Sequence, residues 1–319
     1  MRRLLALLCC VCLNASAADS LVLANGLLPK GMFTIAGRPR ATLDGSPITT
    51  ARKPRPWLLL GIGGGYAAAL TTLHIIQRNA WWKEPGPFQV VEDWHFALQV
   101  DKAGHLWAGY AMSYLGGELL LAAGVSPKSA TVMGSLIGLL YQTYVEIEDG
   151  FSRDWGFSPS DNIANFLGAY WYLAQHYCQP LQAFQLRWQY VPARWTGERP
   201  RTHGGTFIDD YNSSSFWLSI DLWQLLPQRW RDAYPEWLML SIGYGVRNIE
   251  TGLPPERRYM LGLDYNLAAL LPEGAPLWNW LRQSLMLFKL PAPAVEFGPH
   301  PPRFHLLYPF RIRLGRIRL

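Results

Sequence analysis

Four apolar segments, at residues 57–78, 101–124, 128–149 and 159–175, constrain this chain more than any other feature. Each is close to the length of about 20 residues that a helix needs to cross the hydrocarbon of a bilayer. Polar residues interrupt three of the four, so these segments need not face lipid on all sides. A membrane-associated bundle of about four helices that turns its polar groups inward would satisfy both observations. A soluble helical bundle with an apolar core is the alternative.

Two of the four segments carry a recognisable helix start. Ser126-Pro127 precedes the third segment and Ser158-Pro159 precedes the fourth. A serine hydroxyl can cap the first backbone N–H groups, and proline suits the first turn because its missing N–H is not needed there. The sequence therefore predicts helices that begin at these positions, and Gly150 predicts where the third one ends.

The composition is typical of a protein that keeps part of its surface in or on a membrane. Charged residues make up 16% of the chain, against about 25% in an average soluble protein, and 15 residues are Trp. A mean hydropathy of +0.01 is nevertheless too low for a simple multi-span transporter. We expect membrane lipid as a partner. No basic–aromatic platform or zinc-finger spacing indicates nucleic acid, and a protein partner is left open.

The first 17 residues have the pattern of a secretory signal peptide. Arg2 and Arg3 form a positively charged start, residues 4–13 are apolar, and Ala15-Ser16-Ala17 forms a small-residue cleavage site. The apolar run is too short to cross a bilayer as an anchor. The sequence therefore predicts an exported, membrane-associated protein that faces the periplasm.

The periodicity changes after about residue 190. Segments 216–222 and 240–246 alternate apolar with small or polar side chains, and segments 259–267 and 303–314 do so more loosely. A period of two residues is typical of strands. The two glycines in segment 240–246 indicate either that another part of the chain approaches the backbone closely there or that the strand bends as strands of a barrel do.

The predicted fold class is therefore a mainly α N-terminal helical bundle followed by a β-containing C-terminal region. The predicted division of the chain is a signal peptide at 1–17, a loosely structured lead-in at 18–55, a helical bundle at 56–178 and a strand-rich region at 190–319. The basic tail is expected to form an edge strand or to stay unpaired, with lipid binding as the alternative. Its basic residues are Arg311, Arg313, Arg316 and Arg318.

Three short stretches of the helical region carry polar residues that could form a site. Asp101 and His105 are four residues apart, so they share one helix face. Taken singly, each polar residue has an ordinary structural explanation; Asp161, for instance, follows Ser158 by three residues, as in a capping box. The candidate site residues are Asp101, Lys102, His105, Glu146, Asp149, Asp161 and Asn165.

The middle stretch is harder to explain by stability alone. Glu146, Glu148 and Asp149 crowd the C-terminal turn of their predicted helix. The helix dipole disfavours anions there by roughly 0.3–1 kcal/mol each, and the three acids repel one another. We expect solvent, Lys102, Arg153 or a bound cation to compensate for this charge.

If the stretches converge, their oxygen and imidazole groups could bind a divalent cation, although the cofactor is left open. Such a ligand set suits Mg²⁺ or Mn²⁺, with Zn²⁺ as an alternative. The same groups could instead supply a general base, with Lys102 or Arg153 binding a phosphate. The candidate metal ligands are Asp101, His105, Glu146 and Asp161.

The polar residues resemble the pattern of VanZ-like proteins, which runs D-K-x-x-H, then E, then D-x-x-x-N-x-x-G across apolar helices. The residues in this pattern are Asp101, Lys102, His105, Glu146, Asp161, Asn165 and Gly168. Asp149 departs from it, because VanZ-like members usually carry Gln there. The longer context is similar to domain-of-unknown-function family 2279, described as predicted periplasmic lipoproteins, at residues 146–151, 156–161, 211–212, 217–219 and 243–245. Neither resemblance implies an established activity.

Two functions are compatible with this cluster, and whether the protein is an enzyme is left open. The favoured hypothesis is a non-enzymatic envelope protein, in which the cluster is a buried network and the strand region docks a partner or the outer membrane. The alternative is a metal-assisted or acid–base hydrolase that acts on a lipid-linked or phosphate-bearing envelope substrate. The first is favoured because the sequence shows no complete catalytic constellation.

Overall fold

The computed structural model describes residues 22–23, 26–27, 40–45, 53–202, 206–314 and 317–318. The predicted signal peptide, most of the predicted lead-in and Arg316 of the basic tail lie outside these residues. The described part of the lead-in contains two short strands that pair antiparallel, β1 (Val22–Leu23) and β2 (Gly26–Leu27).

The N-terminal half is helical, as predicted. Both predicted helix starts are present, because Ser126 Oγ accepts a hydrogen bond from the backbone N–H of Ser129 (3.3 Å) and Ser158 Oγ accepts one from Asp161 (3.2 Å). The long helices are α1 (Pro56–Ala80), α2 (Val100–Ala122), α3 (Pro127–Gly150) and α4 (Pro159–Tyr177).

Helix α1 differs from the other three. Among the residues that the structure describes, it is the one helix that is long and apolar enough to cross a membrane, and none of its apolar stretch is buried. By contrast, α2 buries Asp101, Lys102 and Glu118, and α3 buries Glu146. The four apolar segments therefore divide into one apolar helix and three helices that carry polar groups inside the protein.

Helices α2 and α4 lie in close contact at Gly168. A Cβ atom at this position would lie 2.0 Å from the carbonyl oxygen of Leu106 and 2.8 Å from the backbone nitrogen of Tyr110. Only glycine leaves room for the α2 backbone here. The contact brings the first turns of the two helices together, and with them Lys102 and Asp161.

Replacing Gly168 with alanine should therefore force α2 and α4 apart. We expect Gly168→Ala to lower the free energy of unfolding by about 1–3 kcal/mol, as other overpacked core substitutions do. Urea unfolding followed by circular dichroism measures the change. Gly63→Ala in α1 is the matched control, because a Cβ atom there meets nothing within 4 Å. Equal stability of the two variants would contradict the close contact.

The C-terminal half forms a six-stranded antiparallel sheet in which the strands follow their order in the chain. Its strands are β3 (Phe184–Tyr190), β4 (Ser214–Ile220), β5 (Leu238–Arg247), β6 (Glu256–Tyr265), β7 (Ala292–Phe297) and β8 (Arg303–Tyr308). The predicted β-containing C-terminal region is thereby confirmed. A Cβ atom at Gly243 would lie 2.6 Å from the Trp217 ring, which is the close approach that the glycines of β5 indicated.

Short elements fill the connections around the sheet. The helices are α5 (Leu222–Leu225), α6 (Gln228–Arg231), α7 (Leu267–Leu270) and α8 (Pro276–Ser284). The basic tail contributes β9 (Arg313–Leu314) and β10 (Ile317–Arg318), which pair with each other. Arg313 and Arg318 thus lie in a separate two-stranded sheet.

The large sheet curls so that one face is concave. Strands β3 and β6 would be about 14 Å apart in a flat sheet, at roughly 4.8 Å per strand. Yet Arg187 of β3 lies 3.1 Å from Asp264 of β6. Gln189 of β3 also donates a hydrogen bond to the carbonyl of Tyr308 in the last strand, at 3.2 Å. The first and last strands therefore come close across the concave face.

The helices and the sheet share a core. Trp107 of α2 donates a hydrogen bond from its indole to the carbonyl of Leu287 (3.0 Å), and its ring lies 4.9 Å from that of Trp188 in β3. Tyr110 and Tyr114 of α2 are buried in the same cluster as Met239 of β5. This packing fixes the sheet against the side of α2.

Candidate functional site

The three polar stretches predicted from the sequence meet at the adjoining ends of α2, α3 and α4. Lys102 lies at the centre, and its side chain is 6% exposed. Its ammonium group contacts carboxylates from three segments: Asp93 at 2.5 Å, Asp101 at 3.0 Å and Asp161 at 2.8 Å. Because a buried ammonium group needs charged partners, this contact determines how the segments fit together.

The His105 imidazole lies on the other side of the same carboxylates, one turn further along α2. Its Nε2 atom is 3.7 Å from Asp101 and 3.9 Å from Asp161. Its Nδ1 atom is 3.4 Å from Glu146 and 3.1 Å from the side-chain oxygen of Asn165. Six of the seven candidate residues are therefore linked through Lys102 or His105.

Asp149 is the seventh candidate residue, and it lies at the edge of the cluster. Its carboxylate accepts a hydrogen bond of 2.6 Å from the indole N–H of Trp82, just after α1. Trp82 packs against Tyr141 and Val145 of α3. Asp149 thus connects the end of α3 to the segment that follows α1.

Two members of the cluster were missed by the sequence analysis. Asp93 contacts Lys102 and also accepts hydrogen bonds from the hydroxyls of Ser158 (2.5 Å) and Ser160 (3.3 Å). Tyr211 donates a hydrogen bond of 2.5 Å to Asp101 from the sheet region. Tyr211 could have been found, since it belongs to the stretch that resembles family 2279. Asp93 stands in a loop without a periodic signal.

The acid-rich end of α3 is compensated differently from what we expected. Glu146 accepts a hydrogen bond from the backbone N–H of Ser158 (3.2 Å) and faces His105. The positive N-terminus of α4 therefore stabilises this carboxylate. Arg153 does not contribute: it pairs with Glu84 at 3.3 Å, and both side chains are largely exposed.

A left-handed turn precedes the cluster. Ala97, Leu98 and Gln99 have φ values of 43°, 55° and 67°, a conformation that L-residues other than Gly, Asn and Asp rarely adopt. The turn is held by the hydroxyl of Tyr244, which donates to the carbonyl of Leu98. Strained backbone of this kind persists where the surrounding structure imposes it. Here it directs the first turn of α2, with Asp101, into the cluster.

The buried acids divide into two groups. Burial raises the pKa of Glu146 to about 8 and that of Asp149 to about 6. Burial also raises the pKa of Asp161. In contrast, burial of Asp101 is outweighed by His105 and Lys102, which together lower its pKa. The cluster therefore combines an ionised acid with acids that hold protons near neutral pH.

The basic groups of the cluster remain charged. Burial alone would lower the pKa of His105, but Asp101, Asp161 and Glu146 raise it to about 9. The same balance raises the pKa of Lys102, since the carboxylates outweigh its burial. Two positive charges are therefore kept inside the cluster at neutral pH.

We expect the stability of the protein to fall as pH rises from about 5 to about 9. The folded-state pKa values of Glu146 (about 8) and His105 (about 9) lie above the ordinary values of 4.5 and 6.5. Both contributions are therefore complete at low pH and are lost as pH rises through the folded values. Glu146→Gln should remove its share of the slope, at most about 1.4 kcal/mol per pH unit. Urea unfolding at stepped pH measures it.

The control for this measurement is Glu148→Gln, two residues away on the same helix end. Glu148 is only partly buried, and its replacement removes one carboxyl group from the same helix end without changing the contact between Glu146 and His105. If Glu146→Gln and Glu148→Gln give the same slope, Glu146 does not hold a proton in the folded protein.

Three of the four candidate metal ligands are close enough to share an ion. The ligand atoms of Asp101, His105 and Asp161 all lie within 4.8 Å of one another. Glu146 is not in this group and faces His105 from the other ring nitrogen. Because the ammonium of Lys102 contacts two of the three ligands, an ion would have to compete with it.

One comparison with known families matches the part of the chain that contains the polar cluster. The model of domain-of-unknown-function family 2279, described as predicted periplasmic lipoprotein, matches residues 91–175. The protein is exported, faces the periplasm and is membrane-associated. The match spans α2 to α4 and includes all seven candidate residues as well as Asp93. The VanZ-like pattern stays a prediction. No curated protein and no solved structure matches the chain.

Proposed function

We propose that the protein is a non-enzymatic component of the cell envelope, in which the polar cluster joins the helices to the sheet. The observation that carries this proposal is the environment of Lys102. One buried ammonium group contacts carboxylates of Asp93, Asp101 and Asp161, which belong to the loop before α2, to α2 itself and to α4. Each of these segments depends on the same cation for its neutrality.

The cluster also reaches the sheet and the segment after α1. Tyr211, just before β4, donates its hydroxyl hydrogen bond to Asp101. On the other side, Asp149 accepts from Trp82, which follows α1. A network that connects these segments through buried partners is suited to fixing their relative positions.

The basic residues do not favour a phosphate-bearing substrate. Lys102 is engaged by three carboxylates, and Arg153 pairs with Glu84 at the surface. A phosphate that approached Lys102 would meet the negative charge of Asp101 and Asp93. The geometry therefore supports a structural role better than phosphate recognition.

Removal of the central cation tests the proposal. Lys102→Met removes the ammonium group that contacts the carboxylates of Asp93, Asp101 and Asp161, so the free energy of unfolding should fall by about 3–5 kcal/mol. Lys83→Met is the matched control, because Lys83 is exposed and should change stability by less than about 0.5 kcal/mol. Adding Asp161→Asn to Lys102→Met should restore part of the loss. A Lys102→Met protein as stable as the wild type would refute the proposal.

A second candidate function, metal-assisted or acid–base hydrolysis, rests on Glu146. This carboxylate is 1% exposed, and its Oε1 atom receives no hydrogen bond from any described residue although it faces His105. A carboxyl group with a pKa near neutrality beside an imidazole is the pair that general acid–base catalysis uses. Asp101, His105 and Asp161 would be the ligands of an assisting cation.

Metal analysis and three variants separate the two functions. Under the structural proposal, purified protein dialysed against Mg²⁺, Mn²⁺ or Zn²⁺ retains no stoichiometric ion, and Asp101→Asn lowers the melting temperature. Under the hydrolase proposal, the protein retains one ion that His105→Ala removes. Glu146→Gln would then abolish the envelope phenotype while the melting temperature stays unchanged.

A further inference from the structure

The two faces of the large sheet have the opposite polarity to that of a sheet exposed to water. In a water-exposed antiparallel sheet, the buried face is apolar and the solvent face is polar. Here the concave, buried face carries the ion pair of Arg187 and Asp264 and that of Arg247 and Glu296, at 3.1 Å and 2.8 Å. Lys289 is buried there as well.

The convex face is apolar across the width of the sheet. Directly opposed residues of antiparallel strands point to the same face, so the register defines rows of neighbouring side chains. One row crosses five strands from β4 to β8: Leu218, Ile242, Leu261, Val295 and Phe304. A second row runs beside it through four strands: Phe216, Tyr244, Tyr259 and Phe297. The first two of these side chains pack against Val100 at the start of α2, so this part of the face is covered.

The centre of this face is not covered by the rest of the chain that the structure describes. Ile242, Leu261 and Tyr259 are 54%, 53% and 52% exposed. They form one contiguous patch, since Ile242 pairs with Leu261, and Tyr259 lies two residues from Leu261 on the same face of β6. Contiguous apolar patches of this kind mark contact with a partner or a membrane.

We propose that the convex face of the sheet, centred on Ile242, Tyr259 and Leu261, contacts the lipid acyl chains of a membrane. Apolar residues outside and charged residues inside form the arrangement that a lipid environment selects, because the hydrocarbon solvates the outer side chains and the charges pair internally. The protein is membrane-associated, and α1 presents a second apolar surface that is not buried. Acyl chains are apolar, as are both the convex face of the sheet and the surface of α1. This inference does not depend on the role of the polar cluster.

Lipid contact can be measured with single labels on the convex face. Ile242→Cys and Leu261→Cys are made in the full chain, labelled with an environment-sensitive fluorophore and reconstituted into phosphatidylethanolamine–phosphatidylglycerol vesicles. Vesicles with brominated acyl chains should quench both labels several-fold more than a control label, and aqueous iodide should quench them weakly. Glu273→Cys supplies the control, because the Glu273 side chain is 84% exposed and polar. The wild type reports background labelling of the native cysteines, which are Cys9, Cys10, Cys12 and the buried Cys178.

Two results would overturn the proposal. If iodide quenches the labels at positions 242 and 261 as strongly as the label at position 273, the convex face is in water. If neither bromine nor iodide reaches them, a protein surface covers the face instead of lipid. Both variants must keep the melting temperature of the wild type, and Ile242→Ser with Leu261→Ser provides a second pair. That pair should lower the fraction of protein that floats with the vesicles if the face binds lipid.

Discussion

The position of one buried ammonium group, that of Lys102, underlies the rest of the helical half. An uncompensated charge inside a protein is so costly that its partners must be brought to it. Asp93, Asp101 and Asp161 are brought there by a loop and two helices. The backbone of α2 and α4 must then approach closely, and Gly168 is the residue that allows it. The close packing of α2 against α4 therefore also brings Lys102 to its carboxylate partners.

In the C-terminal half, too, buried charges are paired with buried partners, but here a sheet encloses them. Arg187 and Lys289 are buried on the concave face of the sheet, and both pair with the carboxylate of Asp264. Because the curl of the sheet encloses these charges, the apolar side chains are left on the outside. In both halves polar groups occupy the interior. Exposed apolar side chains lie on α1 and on the convex face, and also on α3 and α4, where Leu140 is 66% and Ile163 is 60% exposed.

The sequence predicted those features that depend on residues close together in the sequence. Serine–proline pairs predicted the starts of α3 and α4, and alternation predicted the strands, because both signals are local. The acid-rich end of α3 correctly indicated that compensating groups are nearby, but its partner was His105 and the start of α4, whereas Arg153 had been a candidate. Asp93 and Tyr211 were missed because their contacts join segments that no periodicity relates. The glycines at positions 243 and 245 indicated a close approach or a bend of the strand, but not which strands the curl would bring together.

The left-handed turn at Ala97, Leu98 and Gln99 has a consequence for how the protein comes apart. Each such residue costs of order 1–3 kcal/mol when nothing imposes its conformation. The turn is imposed from two directions, by Tyr244 on the carbonyl of Leu98 and by the ion pairs that fix the start of α2. Release of either constraint lets the backbone relax and frees the first turn of the helix. We therefore expect local opening of the protein to begin at this turn, at the junction between the two halves.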